Sequence, residues 1–163
     1  MTLRSTKEGV RLVSKPIKEV SSLLKPLYTS EKALSEQETN KALQRYQKQD
    51  CVHLRATLNL TYATSAGLKL DGQTLVDYDL NRNTLNGQFY SPQDPTSLSL
   101  TMDIYIDRTS IEVFIDDGLY SYSMERKRAI STPQHPASKG FEFWGADINV
   151  TNLQLDSVES IWE

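Results

Sequence analysis

Cys51-Val-His-Leu-Arg-Ala-Thr-Leu-Asn-Leu-Thr-Tyr62 alternates apolar and polar residues without a break. Val52, Leu54, Ala56, Leu58, Leu60 and Tyr62 fall on one side, and His53, Arg55, Thr57, Asn59 and Thr61 on the other. A strand points successive side chains to opposite faces, so this period of two predicts a long antiparallel strand with one buried face. His53 is expected on the exposed face.

Downstream, residues 98–106 repeat the pattern, with Leu98, Leu100, Met102, Ile104 and Ile106 inward. The phase flips across Asp107-Arg-Thr-Ser110, after which Ile111, Val113 and Ile115 become the inward set, as a short hairpin turn requires. Asp116-Asp-Gly118 is the next turn, with Gly118 supplying a positive φ, and 119–124 the returning strand. Segments 74–80 and 84–90 flank Asn81-Arg-Asn83 as another hairpin, and 141–144 and 148–155 add C-terminal strands. In 148–155 the apolar phase shifts between Val150 and Leu153, which predicts a bulge. Upstream, Ser35-x-x-Glu38 is a capping box opening a short helix over 36–46, with Thr39, Ala42, Leu43 and Tyr46 as its thin apolar face. Pro16 and Pro26 confine the segment before it to a sheet edge or an interface.

Nine or ten short strands with Gly, Asn and Asp turns predict an all-β fold. The expected architecture is a two-sheet antiparallel β-sandwich, a concanavalin-like jelly roll, with one short helix. The 163 residues suffice for one domain, 1–163, in which 1–29 form an edge or linker segment and 30–163 the sandwich body. A net charge of −3 without a basic stripe argues against a nucleic-acid partner, and no apolar run reaches membrane-spanning length. The cationic runs at 15–25 and at Glu125-Arg-Lys-Arg128 read as solvated surface. One cysteine, Cys51, permits no internal disulfide, and the two histidines, His53 and His135, offer no zinc spacing, so neither metal nor cofactor is expected.

Acidic residues near the 107–110 turn read as turn formers and strand positions rather than as a glycosidase carboxylate pair. Sugar binding is the chemistry the residues allow, since aromatic faces pack on C–H surfaces while carboxylates and guanidiniums take the hydroxyls. The candidate carbohydrate-binding residues are Trp144, Tyr78, Asp107, Arg108 and Glu112. Tyr120 and Tyr122 lie on the apolar phase and read as core, whereas Trp144 breaks the phase of Phe141 and Phe143 and faces the other side.

Two stretches carry a resemblance. Asp107-Arg-Thr-Ser-Ile-Glu-Val-Phe-Ile-Asp-Asp-Gly118 resembles the D-R-x-S-x-E-V-F-x-N-D-G signature of the C-terminal sandwich of glycoside hydrolase family 32, with Asp116 where Asn is common. Glu8-Gly-Val-Arg-Leu-Val-Ser-Lys-Pro-Ile-Lys-Glu19 resembles the segment just after that family's propeller. The resemblance implies a C-terminal module of a fructan- or sucrose-cleaving enzyme of the invertase, levanase or inulinase type. Its implied partner is its own N-terminal β-propeller catalytic domain, against which Ile17, Val20, Leu23 and Leu24 form a docking strip. The family's W-M-N-D-P-N, R-D-P and E-C motifs belong to that propeller. Here Asp94-Pro95 follows Gln93 and Cys51 follows Asp50, so no catalytic residue carries over. The chain is expected to be a non-catalytic accessory module, a fragment whose parent enzyme is bacterial and periplasmic or extracellular. A second reading is an autonomous fructan-binding, lectin-like module with a fructan oligosaccharide as partner.

Overall fold

In chain order the strands begin with β1 (Thr2–Thr6), β2 (Gly9–Val13), β3 (Leu24–Ser30) and β4 (Leu34–Ser35), followed by helix α1 (Glu36–Leu43). Next come β5 (Val52–Asn59), β6 (Ser65–Leu70), β7 (Gln73–Asp79), β8 (Thr84–Leu85) and β9 (Gln88–Phe89). The chain continues through β10 (Ser99–Ile106), β11 (Ser110–Ile115), β12 (Tyr120–Glu125), β13 (Phe141–Trp144) and β14 (Asn149–Val158). These assignments come from a computed structural model that describes residues 1–6, 9–61, 63–91, 98–127 and 140–159. Tyr62, Arg128 and His135 lie outside the described residues.

Every pairing among the described residues is antiparallel. One sheet runs β12-β11-β10-β5-β14-β3, with β4 also on β14, and a second runs β13-β6-β7-β8-β9. Their inner faces close on one apolar core that joins Leu54, Leu58, Met102, Ile104 and Val113 of the first sheet to Leu68, Val76 and Phe143 of the second. This is the two-sheet sandwich that the alternation predicts. Each of Ile111, Val113 and Ile115 is fully buried, a contribution of roughly 1.5–3 kcal/mol per side chain. The strand β3, which contains Pro26, is the outer strand beyond β14, where a missing N–H costs no ladder bond.

Local signals fix several joints. Ser35 and Glu38 form the reciprocal capping box of α1, which packs Thr39 and Leu43 onto the sandwich and continues as a 3-10 turn at Gln44–Tyr46. The register of β14 against β5 shifts between Thr151 and Gln154, the bulge expected from the phase change. Two expectations fail. Residues 84–90 are not one strand, because Asn86 and Gly87 both adopt positive φ and fold β8 back onto β9 as a second hairpin. Leu98 is 42% exposed although its carbonyl still accepts from Leu60 N at 2.7 Å, since it lies at the end of the ladder, one residue before the first β10–β5 pair, Ser99 opposite Asn59.

Candidate functional site

The cross-strand register orders the outer face of the large sheet. One row runs Asp156 (β14), His53 (β5), Tyr105 (β10), Glu112 (β11) and Ser123 (β12). The next runs Gln154, Arg55, Asp103, Phe114 and Ser121. Directly opposed residues lie near 5 Å apart, so each row is a set of touching side chains.

His53 corrects the sequence reading. It is on the outer face, as the alternation requires, but it is only 2% exposed. Its Nδ1 lies 2.9 Å from Asp156 Oδ2 and its Nε2 2.5 Å from Asp103 Oδ1, while the Tyr105 ring stacks on it at 4.4 Å. Arg55 Nη2 donates to Asp103 Oδ2 at 3.0 Å, and Gln154 Nε2 donates to both Asp156 oxygens at 3.1 and 3.0 Å. Both ring nitrogens face carboxylates, so both must donate, which makes the ring an imidazolium. Two aspartates, His53 and Arg55 then sum to zero charge, the condition for burying them. Burial alone pushes the imidazole down, but the hydrogen bonds to Asp103 and Asp156 together raise it above its ordinary value. Burial likewise pushes Asp103 up, and the bonds from His53 and Arg55 overcome it and hold it low. The same burial, with the Asp103 charge, pushes the Tyr105 hydroxyl up to about 12.

Beside this cluster lies a groove of about 780 Å³, lined among others by Tyr105, Asp107, Arg108, Glu112, Cys51 and Glu159. Asp107 accepts from the Arg108 backbone N–H at 2.7 Å and from the Cys51 thiol at 3.3 Å, and these bonds hold its carboxyl low. Burial and the neighbouring Asp107 push the Cys51 thiol up, which disfavours the thiolate. Glu112 Oε2 accepts from the Ser123 hydroxyl at 2.6 Å.

The 116–118 turn closes the signature. Asp116, Asp117 and Gly118 all adopt positive φ, and a Cβ on Gly118 would stand 1.8 Å from the Ser14 carbonyl oxygen. Asp116 accepts from the Tyr90 hydroxyl and from Thr101 N, while Asp117 pairs with Lys15 at 3.4 Å and Arg4 at 3.6 Å.

Asp107, Arg108 and Glu112 are thus brought together. Tyr78 is not with them: it is 3% exposed, edge-on to Tyr90 at 5.3 Å in the core, so it offers no face to a sugar. Trp144 belongs to the other sheet, opposite Gly67, whose lack of a side chain makes room for the indole. Its neighbour Phe143 is fully buried while Trp144 is half-buried on the other side, as the phase break requires. Sequence reasoning places Tyr105 outward and among the candidate aromatics without joining it to the groove, and it missed the His53 cluster. Arg126, read as solvated surface, has a side chain only 6% exposed and donates to the carbonyls of Asp50 and Asp107. Among the described residues no group of three or more His, Cys, Asp or Glu side chains is arranged to hold a metal ion.

Comparison with known proteins gives these features a setting. The model of "Glycosyl hydrolases family 32 C terminal" matches residues 19–157. A levanase from Bacillus sp. (strain L7) is 28% identical over 99% of this chain and 20% of its own length. The exo-inulinase from Aspergillus awamori superposes with a TM-score of 0.65 at 16% identity, over 99% of this chain and 35% of that one. Sucrose-6-phosphate hydrolase from Lactobacillus gasseri gives a TM-score of 0.54 at 14% identity, over 98% of this chain and 33% of that one. The chain therefore spans about a fifth of the levanase and about a third of the two solved enzymes.

Proposed function

The chain belongs to the family of glycosyl hydrolase family 32 C-terminal domains, and from that premise we propose that it is a non-catalytic accessory module that stabilises the catalytic propeller of a fructan- or sucrose-cleaving enzyme. The observation that carries this reading is how the signature 107–118 uses its polar groups. Asp107, Glu112 and Asp116 each accept hydrogen bonds that tie one strand or turn to another, and Gly118 admits a crossing backbone. Groups committed to holding a hairpin serve as scaffold rather than as acid, base or nucleophile. A retaining or inverting glycosidase needs two carboxylates facing each other across a substrate cleft, one of them able to carry a proton. Asp107 instead is held low and bonded within its own turn. The test is direct: purified chain incubated with sucrose, levan and inulin is expected to release no fructose, and measurable hydrolysis would overturn the assignment.

A second reading has one observation in its favour. Asp107, Arg108 and Glu112 line a single groove with the aromatic ring of Tyr105, the combination of π-face, carboxylates and guanidinium that suits a fructan oligosaccharide. Trp144, on the other sheet, would form a separate contact. Calorimetric titration with levan, inulin and fructose distinguishes the two readings. Saturable heat lost in Arg108→Ala supports sugar binding in the groove, and silence at millimolar sugar removes it.

A further inference from the structure

The first two strands stand apart from the sandwich. β1 and β2 form a two-stranded sheet of their own, each with a single strand partner among the described residues. A lone hairpin of this length is marginal in water, and among the described residues no further strand pairs with either of its long edges. Its register sorts the side chains. Thr2, Arg4 and Thr6 share a face with Val13, Arg11 and Gly9, whereas Leu3 and Ser5 share the other with Leu12 and Val10.

The first face is anchored. Val13 is 1% exposed, Arg11 Nη1 donates to the Tyr120 hydroxyl at 2.6 Å, and Arg4 pairs with Asp117. The second face turns outward with Leu3 74%, Val10 68% and Leu12 54% exposed. A solvent-facing ribbon ordinarily carries polar residues there, and here the polarity is inverted: charge lies inward and hydrocarbon outward. Such a face marks a contact surface. The chain comparison indicates which. The C-terminal family model begins at residue 19 and so leaves the ribbon out, yet the exo-inulinase superposes over 99% of the chain, ribbon included, and extends well beyond it.

We propose that the β1–β2 ribbon is the docking element for the catalytic domain, seated by Leu3, Val10 and Leu12 on an apolar surface and by one open strand edge against a sheet of that domain. The mode is strand addition, in which backbone bonds give strength and alternate side chains give register. This inference rests on the accessory-module reading, and it relocates the main contact from the strip expected at Ile17, Val20, Leu23 and Leu24 to the ribbon before it. In that strip only Ile17 is strongly exposed, at 66%.

Amide hydrogen exchange tests it, comparing the 163-residue chain with the product of the complete reading frame that contains it. The ribbon amides are expected to exchange roughly a hundredfold slower in the larger protein, while strands β5 and β10 exchange alike in both. Leu3→Asp with Leu12→Asp should abolish that protection and leave the thermal midpoint of the isolated chain unchanged. The milder Val10→Thr should reduce protection without affecting folding. Equal ribbon exchange in the two proteins would overturn the proposal and leave the accessory reading standing. So would dimerisation of the isolated chain through the same leucines without added protection in the larger protein. A reading frame that encodes no catalytic domain would overturn both.

Discussion

The two faces of the seven-stranded sheet are built from alternate residues of the same strands, yet they hold together by different physics. Inside, Leu54, Ala56 and Leu58 meet Leu100, Met102 and Ile104 with no polar group among them. That contact is non-directional and proportional to the area it removes from water. Outside, Asp156, His53, Asp103 and Arg55 are joined by bonds of defined length and require one protonation state. The inner face tolerates repacking at a graded cost, whereas the outer cluster fails as a unit when one member is lost. A strand can thus carry two kinds of stability on its two sides, and only one of them responds to pH.

Removing His53 should separate the faces most sharply. His53→Leu leaves Asp156 buried with only the Gln154 amide and Asp103 with only Arg55, and a loss of about 3–5 kcal/mol is expected by urea unfolding. A loss below about 1 kcal/mol would mean that the cluster does not bind β5 to its neighbours. On the inner face, Leu54→Ala is expected to cost about 2–5 kcal/mol by the same measurement. That cost should be the same at every pH where the protein folds.

The third prediction is the pH profile itself. His53 is raised in the folded chain, so its contribution is complete below the ordinary imidazole range and is lost as pH climbs through the higher folded value. Asp103 is lowered, so its contribution is complete above the ordinary carboxylate range and is lost as pH falls through the folded value. The thermal midpoint should therefore peak in mildly acidic buffer and decline on the alkaline side, and His53→Leu should flatten the alkaline limb. An unchanged limb in that variant would assign the decline to other groups. The smallest effect belongs to the rim of the same face. Ser123→Ala removes the hydroxyl donor to Glu112, where Ser123 is exposed and Glu112 half-buried at the rim. A change within about 1 kcal/mol is expected by the same unfolding measurement.

The same contrast explains what could be read from the sequence. Inner-face residues announce themselves by alternation within one strand, which is why β5, β10 and β11 were legible along with the bulge in β14. The capping box of α1 was equally local. The outer cluster depends on which strands lie side by side: Asp156 and His53 are opposed only because β14 inserts beside β5 across a hundred residues of sequence. Nothing near His53 in the chain announces Asp156. The candidate site divides along the same line. Asp107, Arg108 and Glu112 line one groove because one turn and one strand carry all three. Tyr105 was read correctly as outward, but its place beside Asp107 and Glu112 depends on strand neighbours, and Tyr78 was misplaced because an aromatic in a strand looks alike from either side. The Asn86-Gly87 hairpin was legible in principle and was missed.

Gly118 has a mechanical consequence. Ser14 N donates to the Gly118 carbonyl at 3.0 Å, and Lys15 and Arg4 both reach Asp117 in the same turn. The tether between the ribbon and the sandwich is thus riveted at one point to the loop joining β11 and β12. A load pulling on the ribbon enters the large sheet at that rivet and at the neighbouring Arg11–Tyr120 bond, without first taking up slack. A side chain at 118 would pry the rivet open and turn a rigid coupling into a loose string, even with both joined parts intact.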